Sequence, residues 1–384
     1  SSRELHILII TSVTFSLATQ IMQPIFPLYI TDKGASTLEL GLIMSIMSIT
    51  AIAAKVPLSI LSDRIGKWPI IPIALFGQSI SLILYSIVAS VSWFYPIRVF
   101  HALILAAFTP TAMALVSDIA PVSERGDRIG KFLTSFGVAA MTGPFLCSLL
   151  LNYLDYVWIL RFAALIPLIG FAIFLLANHV SSSMIWADSK REFNLLGSLR
   201  VFASSKNMMI LSYLRLVFSI TNAFFTTLFA VYASKNLFLT SSLIAVLFGV
   251  KGLISAISRF PSGRLSDKIG RKEPLIFSYL LLAVAYFAIS EARDFYILSL
   301  VMMVYGLAHG MRVVTEWSLL GDSVPSKISG LASAYISTII NVGGAVGAII
   351  AGILSSILSI EAIFKIASLI TLSGTLITLL IKED

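Results

Sequence analysis

Three ionisable side chains, His309, Arg312 and Glu316, follow one another at spacings of three and four residues inside a long apolar run. At these spacings they share one face of an α-helix, which repeats about every 3.6 residues. A glutamate or histidine in such a run could carry a proton, and a neighbouring arginine could hold its counter-charge. Two interpretations of Glu316 stay open, a proton carrier or a constant partner of Arg312 or Arg215.

Lys251 is the second candidate, because it lies about midway along another apolar run. A charge at the centre of a bilayer is costly, so such a residue is expected to face a polar space or a partner. Lys251 is therefore predicted to contact a solute or a coupling proton. The alternative is a structural pairing with a carboxylate.

Other polar side chains interrupt the apolar runs at positions where they could line a mixed binding pocket. The predicted solute-binding set is Gln20, Gln23, Arg98, His101, Asn222, Lys251, His309 and Asn341. The predicted proton-coupling set is His309, Arg312 and Glu316. For each histidine a packing role is the alternative, and each amide could instead bond a neighbouring helix.

The elements that must position these side chains follow from the composition. The chain of 384 residues is 58% hydrophobic and only 12% charged, whereas soluble domains carry about 25% charged residues. A spanning helix needs about 20 mostly apolar residues, and its backbone must pair internally in lipid. Twelve spans are predicted, at 5–30, 38–61, 69–91, 93–118, 129–151, 156–178, 207–234, 240–264, 273–290, 293–320, 329–356 and 360–381.

Lysine and arginine are unevenly distributed between the two sides of this arrangement. Sixteen lie in loops and ends on the side of the N-terminus, against four in the remaining loops. The positive-inside rule then predicts cytoplasmic N- and C-termini in a multi-pass protein of the cell (inner) membrane. The same rule explains the net charge of +8, so no nucleic-acid partner is predicted.

A sequence repeat divides the chain into two halves. The stretch KVPLSILSDRIGKWP at 55–69 matches RFPSGRLSDKIGRKE at 259–273, with an offset of 204 residues. Residues 118–143 align without gaps with 322–347 at the same offset. One offset in two distant regions indicates that the chain arose by duplication.

The duplication predicts an all-α membrane protein whose twelve transmembrane helices form two pseudo-symmetric six-helix bundles. The N-terminal bundle is predicted over 1–178 and the C-terminal bundle over 207–384. The longest polar stretch, 179–206, is predicted to be the cytoplasmic linker. Two parallel halves of this kind are typical of transporters with a solute site between them.

The repeated hydrophilic stretch resembles the signature loop of the major facilitator superfamily, G-x-x-x-D-[RK]-x-G-[RK]-[RK]. The downstream copy matches it, whereas the upstream copy carries Ser59 and Trp68 at two positions of the pattern. The resemblance implies the major facilitator fold and a conformational latch that holds the cytoplasmic side closed. The implied latch residues are Lys55, Asp63, Arg64, Gly66, Lys67, Arg259, Gly263, Asp267, Lys268, Gly270, Arg271 and Lys272. The alternative is that these charges only set the topology.

Two further segments resemble motifs of that superfamily. RVFHA at 98–102 is similar to its R-x-x-x-G motif, with Ala102 in place of the glycine. GVAAMTGP is similar to the glycine-rich motif of its drug/proton antiporter branch, through Gly137, Gly143 and Pro144. The resemblance implies proton-coupled export, and plain tight packing is the alternative for the second motif.

The N-terminal half departs from that branch, because no acidic residue stands away from the helix ends in spans 1, 2, 4 and 5. A membrane carboxylate in this half is common among drug/proton antiporters. Its absence weakens the case for cationic drugs and favours an organic anion or a neutral amphiphile.

The function predicted is secondary active transport of a small organic solute by alternating access, as proton-coupled efflux. The alternatives are uptake or exchange of an organic anion without proton coupling, and a transporter-like sensor. The predicted partners are the small organic solute, protons and the lipid bilayer, and the protein is predicted to act as a monomer. No catalytic or nucleotide-binding motif is found, so neither an enzyme nor a cofactor is predicted. Cys147, the single cysteine, is predicted to pack, and no metal site is predicted.

Overall fold

The computed structural model describes residues 2–121, 124–178, 205–325 and 328–381, so 179–204 of the predicted linker lies outside the described residues. The regular structure of these ranges is helical throughout, which confirms the all-α prediction. The helices are α1 (Ser2–Met22), α2 (Phe26–Asp32), α3 (Thr37–Ile65), α4 (Ile70–Ser86), α5 (Phe94–Ile119), α6 (Arg125–Leu150), α7 (Tyr156–Asn178), α8 (Lys206–Lys235), α9 (Ser241–Ile269), α10 (Lys272–Glu291), α11 (Phe295–Ser323), α12 (Ser329–Leu354) and α13 (Ile360–Thr378), with a 3₁₀ turn at Val91–Trp93.

Among the described residues, eleven helices are long and apolar enough to cross a membrane. The third predicted span corresponds to α4, an apolar helix of 17 residues. The first predicted span is divided into α1 and α2 by a turn that contains Gln23. Each predicted span therefore has a helical counterpart, although the first is broken and the third is short.

The repeated hydrophilic stretch is more helical than the sequence suggested. α3 and α9 continue to Ile65 and Ile269, past the predicted ends at 61 and 264. Basic residues in the last helical turn are stabilised by the helix dipole, so the charges extend these helices rather than end them. Gly66 and Gly270 then turn the chain with φ of +82° and +88°, a backbone conformation that glycine adopts without a Cβ clash.

Three later helices begin at side chains that cap their first turns. Ser205, Asp294 and Ser359 each accept a hydrogen bond from the backbone N–H three residues ahead, at 3.4, 2.9 and 3.3 Å. An N-cap of this type satisfies one of the N–H groups that the first turn leaves unpaired. These caps fix the starts of α8, α11 and α13.

Contacts divide the chain into two compact units. Unit 1 comprises Ser1–Ser36, Ile46–Asp188 and Thr240–Gly249. Unit 2 comprises Thr37–Ser45, Ser189–Leu239 and Val250–Asp384. Most of the N-terminal half therefore lies in unit 1 and most of the C-terminal half in unit 2.

The core of unit 1 includes a cluster of apolar side chains from α1, α4, α5 and α6. Phe15 and Phe108 stack with ring centroids 3.9 Å apart, and Leu75 and Ala112 are fully buried in the same cluster. Cys147, on α6, is also fully buried, in agreement with its predicted packing role. Unit 1 is thus held by packed apolar side chains at the level of Phe108.

In unit 2 two glycines let α11 approach α9 closely. A Cβ added to Gly306 would lie 2.6 Å from the backbone oxygen of Lys251, and one added to Gly310 would lie 2.5 Å from that of Ser255. Real Cβ atoms do not approach that closely, so both positions require glycine for this packing. The crossing brings Lys251 and Ser255 beside Gly306 and Gly310 of α11.

Candidate functional site

Four residues of unit 2, Arg215, Tyr279, Arg312 and Glu316, form a buried group that we call the charge cluster. Glu316 and Arg312 side chains are 0% and 2% exposed, and Arg312 Nη1 donates to Glu316 Oε2 one turn along α11. Arg215 Nε lies 2.8 Å from the same oxygen. Its N–H is not aligned for a hydrogen bond, so we treat that contact as a coulombic ion pair.

Tyr279 adds a third partner to the carboxylate, from α10. Its hydroxyl lies 2.6 Å from Glu316 Oε1 and 2.8 Å from the backbone oxygen of Leu214, which belongs to α8. A tyrosine hydroxyl has one hydrogen and donates it to one acceptor at a time. Glu316 therefore links α11 to α8 through Arg215 and to α10 through Tyr279.

The two arginines leave the charge cluster with one excess positive charge, and both lie against aromatic rings. The guanidinium carbon of Arg312 is 3.4 Å from the ring centroid of Phe218. That of Arg215 is 4.9 Å from the ring of Trp317. Cation–π contacts contribute about 2 kcal/mol when desolvated, so the rings offset part of the cost of burying the excess charge.

The repeat shows that the fold itself does not require these charges. At the offset of 204 residues, Glu316, Arg312 and Tyr279 correspond to Ala112, Phe108 and Leu75, and Arg215 corresponds to Thr11. The three apolar counterparts belong to the core cluster of unit 1. Three of the four positions are thus apolar in one half and polar or charged in the other.

Lys251, on α9, lies on one aromatic ring of α8 and one of α11. Its Nζ is 4.7 Å from the ring centroid of Phe225 and 5.3 Å from that of Tyr305. The Tyr305 hydroxyl donates to Asn222 Oδ1 at 3.1 Å and lies 3.1 Å from the hydroxyl of Tyr286. Both rings beneath Lys251 are fully buried, whereas Lys251 and Asn222 are only half-buried.

His309 connects these two groups. Its Nδ1 lies 3.0 Å from Ser255 Oγ, and its ring is 6.4 Å from that of Tyr305 and 5.6 Å from that of Phe218. Tyr305, His309, Arg312 and Glu316 follow one another at spacings of four, three and four, over about 16 Å of helix axis. Together with Lys251 and Asn222 of α9 and α8, they form what we call the polar face of unit 2.

Arg98 and His101 lie together in unit 1. The guanidinium carbon of Arg98 is 4.4 Å from the ring centroid of Phe26, and His101 Nδ1 is 3.4 Å from the Tyr85 hydroxyl. Arg98 is 6% exposed and His101 is 0% exposed. The surroundings of both side chains are largely aromatic.

The remaining predicted solute-binding residues are distributed over other elements. Gln20 lies on α1, where a Cβ on Gly143 would come within 2.5 Å of its Cβ. The antiporter-like motif thus includes a glycine that lets α6 pack tightly on α1, while Gly137 and Pro144 are buried on α6. Gln23 lies in the turn after α1, and Asn341 is half-buried on α12.

The predicted latch contains two ion pairs that the repeat relates to each other. Lys67 Nζ lies 2.6 Å from Asp118 Oδ2, and Arg271 Nε lies 2.8 Å from Asp322 Oδ2. Both pairs are within their own unit, and both join the first basic residue after the glycine turn to the end of the next-but-one helix. The equivalence supports the offset of 204 residues over the whole half.

Other latch residues show more varied positions. Asp267 Oδ1 lies 2.6 Å from Arg271 Nη1. Arg64 and Lys268 are exposed at the ends of α3 and α9, and Lys55 and Arg259 are half-buried within these helices. Gly263 lies on α9, and Lys272 begins α10. The side chain of Asp63 is outside the part of the chain that the structure describes.

Sequence reasoning missed Tyr279 and Tyr305. Tyr279 lies on the predicted span 273–290, where no solute-binding or proton-coupling residue was predicted. The available signal was the repeat, because Leu75 and His101 stand at the equivalent positions of the first half. Positions where one half is polar and the other apolar would have selected Tyr279 together with Arg312 and Glu316.

We expect Tyr279→Phe to lower the stability of the protein by about 1–3 kcal/mol, because a hydrogen bond to a buried charged group is lost. Tyr213→Phe is the matched control, since its hydroxyl bonds Ser373 Oγ at an exposed site. The thermal unfolding midpoint in detergent measures both variants. Equal midpoints would show that Tyr279 does not stabilise the carboxylate.

Comparison with known proteins assigns nearly the whole chain to the superfamily that the signature loop resembles. A sequence model described as Major Facilitator Superfamily matches residues 8–290 and 215–384. An uncharacterized MFS-type transporter of Methanocaldococcus jannaschii is 23% identical over 374 residues, covering 96% of each chain. Multidrug resistance protein MdtG of Yersinia enterocolitica is 25% identical over 389 residues, covering 96% of this chain and 89% of that one.

A solved structure shows the same fold. A bacterial homolog to the human lysosomal transporter Spinster, inward-facing and unoccupied, superposes with a TM-score of 0.76 at 14% identity, over 98% of this chain and 94% of that one. The apolar helices and the match to the superfamily model identify the protein as a multi-pass membrane protein and a transporter rather than an enzyme. The chain belongs to the major facilitator superfamily.

Proposed function

We propose that the protein exports small organic molecules by alternating access, that proton entry drives the export, and that Glu316 carries the proton. The observation that carries this proposal is the charge cluster, since three of its four equivalent positions in unit 1 are apolar. Burying ionised groups costs several kcal/mol each, and charges inside membrane spans mark ion or solute pathways. Relatives named multidrug resistance protein support export as the direction.

Protonation of Glu316 would change how three helices are joined. A proton on the carboxylate removes the negative charge that attracts Arg215 and Arg312. A neutral carboxyl also accepts a weaker hydrogen bond than a carboxylate, so the hydroxyl of Tyr279 would bond the backbone oxygen of Leu214 more strongly by comparison. The links of α11 to α8 and α10 thus depend on one proton, which is the kind of two-state element that a coupled transporter needs.

We also propose which residues form the solute site and how the chain is arranged in the membrane. The solute site includes Lys251, Asn222 and His309, with Arg98, His101, Gln20, Gln23 and Asn341 as further predicted contacts. The bundles cover 1–178 and 207–384, and both termini are cytoplasmic in the inner membrane, where the protein acts as a monomer. The latch residues implied by the resemblance, which include Lys67 and Arg271, hold the cytoplasmic side closed.

The test uses purified protein in liposomes that enclose a pH-sensitive dye. A panel of organic anions, organic cations and neutral amphiphiles is supplied across an imposed proton gradient. For at least one solute we expect solute-dependent proton movement, which Glu316→Gln reduces at least tenfold while exchange of that solute at equal pH persists. Glu291→Gln is the control, because Glu291 pairs with Lys365 at an exposed site.

If Glu316→Gln does not fold, Glu316→Asp tests the role of the carboxylate in proton coupling. This variant retains a carboxylate and is expected to keep proton coupling at a lower rate. Proton movement that is unchanged in Glu316→Gln would refute the role of Glu316.

A second function is favoured by the surplus of positive charge in the charge cluster and at Lys251. Arg215, Arg312 and Lys251 stand against the single carboxylate of Glu316, which suits uptake or exchange of an organic anion without protons. Wild-type transport that is indifferent to the pH gradient would select this function over proton-driven export.

A further inference from the structure

We propose that the transported solute is an organic anion that carries an aromatic ring, and that Lys251 binds its acidic group. This inference rests on the proposed function, because it takes the polar face to be the place where the transported solute binds. Binding at Lys251 can nevertheless be measured without transport. Three observations lead to it: the occupancy of the ring faces, the charge balance and the exposure of Lys251.

The ring faces that would attract a cationic solute are already covered by cations of the chain. Lys251 lies on Phe225 and Tyr305, and Arg312 lies on Phe218. A second cation at these rings would meet a like charge at close range. Cationic organic molecules are therefore excluded from the strongest aromatic contacts of this face.

The carboxylate of the polar face is also occupied. Arg215 and Arg312 both approach Oε2 of Glu316, and Tyr279 approaches Oε1. Lys251, Arg215 and Arg312 carry three positive charges against the one negative charge of Glu316, a net charge of +2 for these four groups. In a low-dielectric surrounding this surplus favours an anion.

Lys251 offers a solute both a positive charge and two neighbouring aromatic rings. Its side chain is half-buried, whereas Phe225 and Tyr305 beneath it are fully buried. An ammonium group has three donors for an acidic group. Asn222 and His309, also half-buried, stand beside it, so a flat apolar body would pack on rings while its acidic group meets Lys251.

The test measures ligand binding to the purified protein in detergent. Binding is detected by the rise of the thermal unfolding midpoint, and affinities are measured by calorimetry. The probes are benzoate, 2-naphthoate and indole-3-acetate, each paired with its uncharged amide, together with 2-naphthylmethylammonium. At least one anion is expected to bind ten or more times tighter than its amide. Its affinity should fall at least tenfold in Lys251→Met and recover in part in Lys251→Arg, while amide binding stays within twofold.

Lys365→Met is the matched control, because Lys365 is an exposed lysine paired with Glu291, and it should leave every affinity unchanged. Tighter binding of 2-naphthylmethylammonium than of the anions would overturn the proposal. So would anions that bind no better than their amides, or that bind Lys251→Met as well as the wild type. Because no proton gradient is present, a failure here is distinct from a failure of Glu316 to couple protons.

Discussion

Glu316→Ala is expected to be the most destabilising single substitution at the site, by about 3–5 kcal/mol, because it leaves two buried arginines without a counter-charge. That loss is a large part of the about 5–15 kcal/mol that holds a typical domain folded. The variant should give a sharply lower thermal midpoint and a lower yield of folded protein. Glu291→Ala, which removes one partner of an exposed pair, should leave the midpoint unchanged.

The repeat supplies a stronger form of this test. The fourfold variant Arg215→Thr, Tyr279→Leu, Arg312→Phe and Glu316→Ala installs the residues of the equivalent unit 1 positions. Well-packed apolar groups often replace buried ion pairs without loss of stability, so we expect most of the lost midpoint to return. We also expect no proton movement in liposomes. A fourfold variant as unstable as Glu316→Ala would show that the two halves are not interchangeable at these positions.

Gly310→Ala is expected to destabilise the protein by about 1–3 kcal/mol through overpacking, and to impair transport as well. The added Cβ would overlap Ser258 Oγ, which can rotate away, and would lie 2.5 Å from the backbone oxygen of Ser255, which cannot. α9 and α11 would have to separate, and His309 would move away from Ser255 and Lys251. Solute exchange should therefore fall together with the thermal midpoint.

Gly321→Ala is the control on the same helix, because a Cβ there has no neighbour within 4 Å. Alanine is a better helix former than glycine by about 1 kcal/mol, so this variant should be as stable as the wild type or more so. Similar midpoints for the two alanine variants would contradict a close crossing at Gly310.

The position and order of the apolar helices could be predicted from the sequence, because in lipid each apolar run of sufficient length has to form a helix. The end of α3 at Ile65 could not, since a charged last turn has the composition of a loop. The break at Gln23 was also missed, because apolar residues continue on both sides of it. Such boundaries depend on tertiary packing, which composition does not report.

The candidate site was partly predictable. The spacing of His309, Arg312 and Glu316 placed them on one face, and Lys251 was selected by its depth in an apolar run. The partners that come from other helices, Tyr279 above all, depend on which faces pack together. A single sequence contains that information only indirectly, through differences between its two repeated halves.

The burial of Cys147 has a practical consequence for measuring motion in this protein. The only thiol of the sequence is fully covered, so thiol-reactive spin labels should leave the natural chain almost unmodified. Arg64→Cys and Lys268→Cys would add one label at each of two exposed, repeat-related helix ends. The distance between the labels, recorded with and without solute, should change if the two ends separate during transport, and a constant distance would argue against the latch.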